Sequence, residues 1–345
     1  MRFRGCAIVL LLGCTVPRPS ALPKRSTYYV REGKLLDPCG EELVVRGVNH
    51  PTMYEDRAGK AMPEIAKTGA NVVRLFWFGG HGIPITALEP ALEAAVASGM
   101  VPMLELHDST GRWQLEPIVA WWTEPAARAL IERHEQHLIV NIANEATAPD
   151  DEAFVRDYTR AIASLRSAGI RVPLVIDAGK VGRDYEQVLR HGDALLAADP
   201  LHNVLVSAHL YDALPRSAYA DLFARARTLQ APFIVGEFAN REPPGCGAEI
   251  EYAALIDEAQ RAGIGWLAWS WGDRYLPTVF NADCDQFDMT TRLTYESLFG
   301  WGREVAVTLP ASIQNTAKRP YSLAHGGACI ARGPSATTFA APPPL

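Results

Sequence analysis

Two short apolar stretches of this chain each end in a glutamate: LIVNIANE at residues 138–145 and PFIVGEF, with Glu237, at residues 232–238. Continuous apolar runs of this length predict β-strands that are buried on both faces. Each strand would carry a carboxyl group, that of Glu145 or Glu237, at its C-terminal end. Parallel α/β barrels place their functional residues at that end of their strands.

Similar runs continue along the chain and predict eight strands, at residues 43–48, 71–77, 101–106, 138–143, 174–177, 204–208, 233–236 and 265–269. Amphipathic helical segments lie between them, among them 88–98, 152–168 and 248–262. Gly99, Gly169 and Gly263 follow these three helices, as left-handed caps would require. Eight such units favour a closed (β/α)8 TIM barrel over an open doubly wound sheet. We predict an α/β fold with a single catalytic domain at residues 29–305.

The composition narrows the class of partner. The chain has 345 residues, of which 48% are hydrophobic, and a formal charge of -6. It can bury a large core. No cluster of Lys and Arg alternates with aromatic residues, which disfavours nucleic acid or an anionic membrane surface as a partner. We expect a monomer with a neutral substrate.

The N-terminus predicts export. A basic start at Met1 to Arg4 and an apolar stretch at residues 7–12 predict a signal peptide over residues 1–14, followed by a Pro-containing linker at 15–28. LLGC at residues 11–14 resembles a bacterial lipobox, so Cys14 is a candidate for lipidation, and an ordinary signal peptide is the alternative. We expect a secreted protein or a lipoprotein anchored at the cell surface, whose only membrane contact would be that lipid anchor.

The C-terminus is harder to interpret. Residues 305–309 can form a strand, and residues 306–345 are predicted to be a partly disordered extension. Four cysteines follow the predicted signal peptide: Cys39, Cys246, Cys284 and Cys329. In an oxidising compartment they permit two disulfides with three possible pairings. Cys246 and Cys284 follow no strand, which makes a cysteine nucleophile a weak alternative.

Polar and aromatic residues follow nearly every predicted strand. They are Asn49, His50, Arg74, His107, Asp108, Asn144, Glu145, Asp177, His209, Tyr211, Glu237 and Trp269. In a barrel these side chains converge on one pocket. Two carboxyl groups in such a pocket are the minimum equipment of a glycoside hydrolase, and a retaining enzyme needs them about 5 to 5.5 Å apart.

With these residues in this order the chain resembles the retaining glycoside hydrolases of family 5, from about Val45 to Ser270. The resemblance implies that Glu145 is the acid/base and Glu237 the nucleophile. It assigns substrate-binding and orienting roles to six further residues: Arg74, His107, Asn144, His209, Tyr211 and Trp269. Arg74 and Tyr211 would stabilise the Glu237 carboxylate, Asn144 would bind the sugar 2-hydroxyl, and Trp269 would support the sugar ring. No cofactor is implied.

Within the family, the local sequence is most similar to bacterial β-mannanases, notably in RGVNH at residues 46–50, LELHDSTG at 104–111 and GWLAWSW at 265–271. The chain departs after the acid/base, where Ala146 and Thr147 follow Glu145, and residues 273–288 have no matching sequence. The implied function is hydrolysis of internal β-1,4-mannosidic bonds of mannan or glucomannan.

Two alternatives stay open. The first is a β-1,4-glucanase of the same family, since the two activities differ in how the site treats the 2-hydroxyl. The second is a catalytically silent surface protein that binds carbohydrate. No metal is expected, because His50, His81 and Asp108 lack ligand spacing. Trp113 lies in a loop and is a candidate to line a sugar subsite, whereas packing explains Trp121 and Trp122 equally well.

Overall fold

A computed structural model describes residues 26–243, 247–274 and 287–329. A hairpin, β1 (Tyr29–Arg31) and β2 (Lys34–Leu36), precedes eight further strands. These are β3 (Arg46–His50), β4 (Val72–Trp77), β5 (Val101–Leu106), β6 (Ile139–Asn141), β7 (Leu174–Asp177), β8 (Val204–His209), β9 (Phe233–Glu237) and β10 (Gly265–Ala268). They pair in parallel in chain order, and β10 pairs with β3. The predicted (β/α)8 barrel is confirmed.

Helices surround the barrel. They are α1 (Thr52–Glu55), α2 (Met62–Ala66), α3 (Glu89–Ala97), α4 (Leu115–Trp122), α5 (Pro125–His134), α6 (Asp151–Ser167), α7 (Tyr185–Ala198), α8 (Arg216–Ala226), α9 (Tyr252–Ala262), α10 (Gly300–Arg303), α11 (Ile313–Thr316) and α12 (Tyr321–Ala324). In the described part of the chain none of these helices is long and apolar enough to cross a membrane.

Every residue of the eight barrel strands is buried, as the continuous apolar runs predict. The predicted glycine caps are also present. Gly263 ends α9 with a left-handed backbone, φ 68°, and Gly99 and Gly169 likewise have positive φ, 73° and 90°. A left-handed residue at this point satisfies the last helical carbonyls and turns the chain towards the next strand.

The end of the barrel at which the strands begin, called the bottom here, is closed by both ends of the described chain. Asn203, immediately before β8, accepts a hydrogen bond from the Val30 amide (3.0 Å) and donates one to the Tyr28 carbonyl (3.0 Å). Arg319 donates to the Ala70 carbonyl just before β4 (2.9 Å). The hairpin and the C-terminal helices therefore cover the bottom and leave the opposite end, the mouth, open.

Two sequence expectations concern this C-terminal region. The strand expected at 305–309 is wrong: Glu304–Thr308 forms a turn of π-helix after α10, with Val305 and Ala306 buried. A disulfide joins Cys39 to Cys329, 290 residues apart. Cys246, Cys284, the predicted signal peptide and the last 16 residues lie outside the described residues.

Candidate active site

Glu237 is the last residue of β9 and is 3% exposed. Both of its carboxylate oxygens have a donor: Arg74 Nη1 lies 2.7 Å from Oε1, and the Tyr211 hydroxyl donates to Oε2 at 2.8 Å. Burial raises the pKa of Glu237 above its ordinary value, while His209 and Arg74 oppose that rise and Glu145 adds to it. The two donors fix the orientation of the carboxyl group and favour its ionised form.

Arg74 reaches Glu237 from the middle of β4 and is itself completely buried. Nη1 donates to Asn49 (2.9 Å), while Nη2 donates to Asn141 (2.6 Å) and Asn144 (2.6 Å). Burial would lower the pKa of Arg74, but the nearby carboxylates, led by Glu105, outweigh burial and raise it. The guanidinium is thus a permanent charge whose position is set by four barrel strands.

Glu145 lies four residues beyond β6, with a left-handed backbone, φ 51°. This conformation is uncommon for a residue other than glycine and often marks a functional position. Its amide lies 3.3 Å from Asp177 Oδ2, and its carbonyl accepts from the Gly111 amide at 3.2 Å. The side chain is 12% exposed and extends into the mouth, where one of its oxygens lies within 4.8 Å of one of Glu237.

His209, the last residue of β8, lies between the two glutamates. Its Nδ1 is 2.9 Å from Glu145 Oε1 and 3.5 Å from Glu237 Oε2, and its Nε2 is 3.5 Å from Asp177. Burial alone would lower the pKa of His209, but the charges of Glu237 and Asp177 outweigh burial and raise it to about 10. Burial alone would raise the pKa of Asp177, but the positive charges of His209 and Arg74 outweigh burial and lower it to about 2. His209 is therefore an imidazolium paired with buried carboxylates.

His107, Asn144 and Trp269 complete the set predicted from the sequence. His107 Nδ1 contacts Glu105 (3.0 Å), and its ring lies 5.9 Å from that of Trp269, nearly parallel to it. Asn144 donates to Thr110 at 2.9 Å and lies 3.4 Å from His107 Nε2. Trp269 follows β10 and is 5% exposed. All eight predicted side chains therefore meet at the mouth.

An aromatic wall continues from Trp269 along one side of the mouth. Phe76 lies 6.2 Å from Trp269 and 5.0 Å from Phe78 (ring centroids), and the ring of His81 stacks on Phe78 at 4.6 Å. Tyr54, 44% exposed, packs against the same group. Such faces suit the apolar C–H faces of a pyranose.

Four buried residues around Arg74 received no role from the sequence: Asn49, Glu105, Asn141 and Asp177. Each contacts Arg74 or a residue bound to it. Asn49 and Asp177 were noted as strand ends, but Glu105 and Asn141 lie within apolar strands. A polar residue inside a buried strand was the signal that could have identified them, because such a group needs a buried partner.

One described cluster at the mouth has metal-ligand geometry: Glu145, His209 and Glu237 offer three atoms within 4.8 Å of one another. His209 is an imidazolium here, and both of its ring nitrogens then carry protons and cannot ligate a metal, so the donor set does not favour a cation. His50, His81 and Asp108 have other partners. His50 contacts the Trp271 carbonyl, and Asp108 accepts from the amides of Gly79 and Gly80.

Two carboxyl groups at the mouth of a (β/α)8 barrel, one clamped by donors and one partly exposed, are typical of glycosidases. The family model described as cellulase (glycosyl hydrolase family 5) matches residues 36–275. The chain belongs to glycoside hydrolase family 5 and is a glycosidase.

Named relatives and solved structures show which members of the family the chain is similar to. It is 31% identical to the mannan endo-1,4-β-mannosidase of Salipaludibacillus agaradhaerens, over 81% of this chain and 90% of that one. It is 28% identical to that of Cellvibrio japonicus, over 87% and 70%. The mannohexaose complex of Thermomonospora fusca β-mannanase is 25% identical, covering 87% of this chain and 100% of that one, with a TM-score of 0.76.

Proposed function

We propose that this protein is an endo-acting β-mannanase that cleaves internal β-1,4-mannosidic bonds of mannan and glucomannan with retention. The observation that carries the proposal is the pair Glu237 and Glu145, whose oxygens lie within 4.8 Å, with Glu237 clamped by Arg74 and Tyr211. This close approach of two oxygens favours double displacement, for which the carboxyl groups lie about 5 to 5.5 Å apart, over inversion, which needs about 6.5 to 9.5 Å.

In the first step Glu237 attacks the anomeric carbon and forms a glycosyl-enzyme ester, while Glu145 gives its proton to the departing glycosidic oxygen. In the second step Glu145, now a carboxylate, takes a proton from water, and that water displaces Glu237. Glu145 suits proton exchange because it is partly exposed, whereas the donors of Glu237 hold a charge ready for attack.

The other side chains supply positioning. His209 contacts both glutamates and fixes the direction of Glu145. Trp269 and His107 form one side of the pocket in which the distorted sugar would lie, and Asn144, held by Arg74 and Thr110, would bind the 2-hydroxyl. The aromatic wall from Phe76 to Tyr54 would hold neighbouring sugars.

Mannan as substrate is supported by the relatives named mannan endo-1,4-β-mannosidase and by the mannohexaose complex. The assay is release of reducing sugar from linear mannan, glucomannan and carboxymethyl cellulose, side by side. We expect hydrolysis of the two mannans and not of the cellulose. Glu237→Ala is the control, with turnover at least about 10⁴-fold lower, as for loss of other covalent nucleophiles.

The reverse substrate preference would assign the protein to the glucanases, and silence of the wild type on all three would favour a carbohydrate-binding role without catalysis. Retention is tested separately by NMR of the first product, which should be the β-anomer. An initial α-anomer would exclude double displacement.

The proposal also includes the location of the protein at the cell surface. We propose a monomer exported by its N-terminal signal segment, cleaved before Cys14 and tethered through a lipid on that residue, with the barrel domain at 29–305. The Cys39–Cys329 disulfide supports an oxidising compartment. Cys14→Ser should move the protein from the membrane fraction to the soluble fraction, and unchanged partitioning would exclude the lipid anchor.

A further inference from the structure

A cavity of about 590 Å³ lies on the outer side of the barrel, between α4 and α6. Its volume falls within the range of small-molecule sites. The polar and aromatic part of its lining consists of Trp113, Gln114, Glu116, Asp157, Arg160 and Ser164. None of these residues contributes to the pair of glutamates or to the network around Arg74.

The cavity extends away from the mouth. α6 begins at Asp151 near the mouth, because it follows β6, and Ser164 lies thirteen residues further along it. At a rise of 1.5 Å per residue this places Ser164 about 20 Å below the start of the helix. A ligand in this cavity would therefore lie outside the catalytic pocket.

Trp113 is held in a fixed orientation in this cavity. Its indole N–H donates to Asp157 Oδ2 at 3.1 Å, and its ring packs edge-on against Tyr158 with centroids 5.7 Å apart. Arg156 donates to both oxygens of Asp157, at 2.8 and 3.0 Å, which fixes that acceptor in turn. A half-buried aromatic ring that is immobilised before binding suits stacking on a sugar ring, because little side-chain entropy is lost.

The polar lining fits a neutral ligand with many hydroxyl groups. Glu116 and Asp157 can accept hydrogen bonds, Arg160 can donate, and Gln114 can do both. The two carboxylates are balanced by Arg160 and by Arg156, which is bound to Asp157, so the site favours neither an anion nor a cation. A site that binds a saccharide needs hydrogen-bond donors and acceptors around an aromatic face, and this lining provides both.

The loop that carries Trp113 starts at the catalytic pair. Within it the Gly111 amide donates to the Glu145 carbonyl at 3.2 Å, and the Thr110 hydroxyl accepts from Asn144. A second cavity of about 250 Å³ shares Gln114 and Pro117 with the first, and half-buried Trp121 lines it. Two tryptophans thus line adjoining cavities beside the mouth.

We propose that the cavity at Trp113 is a second carbohydrate-binding site, which holds another segment of the same polysaccharide while the mouth cleaves it. This inference rests on the proposed function, since its ligand is the proposed substrate. A short oligosaccharide that fills the mouth would not need the second site, but a long mannan chain would use both.

The test compares polymer retention with oligosaccharide hydrolysis. For retention, Trp113→Ala is made in the Glu237→Ala background, so that mannan stays intact, and binding to insoluble linear mannan is compared between this double variant and the Glu237→Ala parent. We expect the dissociation constant for mannan to rise about fivefold, as loss of one aromatic contact predicts. With Glu237 intact, kcat/KM on mannohexaose should stay within about twofold of wild type.

Two variants act as controls, and a third repeats the test. Tyr295→Ala removes a half-buried ring whose hydroxyl contacts Gln314, on another part of the surface, and should leave retention unchanged. Trp113→Phe keeps an aromatic face and should retain most binding. Arg160→Ala tests the same cavity if Trp113→Ala does not fold, since the Arg160 side chain is 74% exposed.

Equal retention of Trp113→Ala and its parent, or equal loss in Tyr295→Ala, would overturn the inference. A parallel loss on mannohexaose would also overturn it, because Trp113 would then act within the mouth. Failure of the proposed function is distinguishable, since the wild type would then hydrolyse neither mannohexaose nor mannan.

Discussion

At the scale of single residues, the two glutamates differ because of their neighbours. Glu237 is buried and receives a hydrogen bond on each oxygen, whereas Glu145 is partly exposed and contacts one imidazolium. The same functional group can therefore act as nucleophile in one position and exchange protons in the other. Two variants test this division of roles.

Glu145→Ala should abolish proton donation to the leaving group. We expect loss of at least about 10³-fold in kcat/KM on mannan, within the 10²- to 10⁴-fold range of general acid catalysis. An aryl mannoside with an activated phenol needs no proton at its oxygen, so the burst of phenol from the first step should persist. Stopped-flow absorbance measures that burst, and equal loss on both substrates would argue against an acid role for Glu145.

Tyr211→Phe tests the clamp on Glu237. The lost hydroxyl favoured the ionised carboxylate, so its removal raises the pKa of Glu237 further. Since Glu237 must be ionised to attack, the acidic limb of the pH profile of kcat/KM should move to higher pH, with about a tenfold loss at the optimum. An unmoved acidic limb would show that Tyr211 does not influence the charge of Glu237.

The strand-end pattern predicts twelve residues in the pocket, and the resemblance to glycoside hydrolase family 5 selects eight of them, all of which meet at the mouth. The sequence did not reveal the network beneath them. Asn141 and Glu105 lie inside strands, and they contact Arg74 across separations of 67 and 31 residues, which no local pattern records. Only the closed barrel brings Asn141 and Glu105 into contact with Arg74.

At the scale of elements, the strands were predictable because each is buried on both faces and its sequence is therefore a continuous apolar run. α7 was not singled out, and its Gly192 explains part of the difficulty: a Cβ there would lie 3.3 Å from the Val206 side chain on β8. Glycine at this position lets α7 pack closely on β8, but glycine has a low helix propensity and weakens the helical pattern in the sequence. Likewise Val305 and Val307 favour a strand by propensity, but tertiary packing makes them helical.

The cap of α9 gives a prediction at this scale. Gly263 has φ 68° with no atom near its missing Cβ, so Gly263→Ala would strain only the backbone. We expect a loss of about 1 kcal/mol in the free energy of unfolding and a fall of about 2 °C in Tm. Gly263→Asn should lose less, because asparagine tolerates this conformation, and both variants should keep full activity. An Ala variant as stable as wild type would contradict the assignment of strain.

At the scale of the whole molecule, the disulfide ties the hairpin region to the end of the C-terminal helices. It closes a loop of 290 residues, for which the chain-entropy model predicts a stabilisation of about 6 kcal/mol. Cys39→Ser, or reduction of the wild type, should lower Tm by several degrees while mannan hydrolysis at 25 °C persists. Reduction of Cys39→Ser itself is the control and should add no comparable loss; an unchanged Tm in the wild type would exclude a stabilising role.

Both ends of the described chain lie at the bottom of the barrel, since Tyr28 and Val30 bind Asn203 there and Cys329 is tied to Cys39. A tether that joins the chain before residue 26 would therefore attach at the bottom of the barrel, opposite the glutamates. With the proposed anchor on Cys14, the mouth would lie at the end of the barrel away from the point of attachment, where a long polymer can reach it.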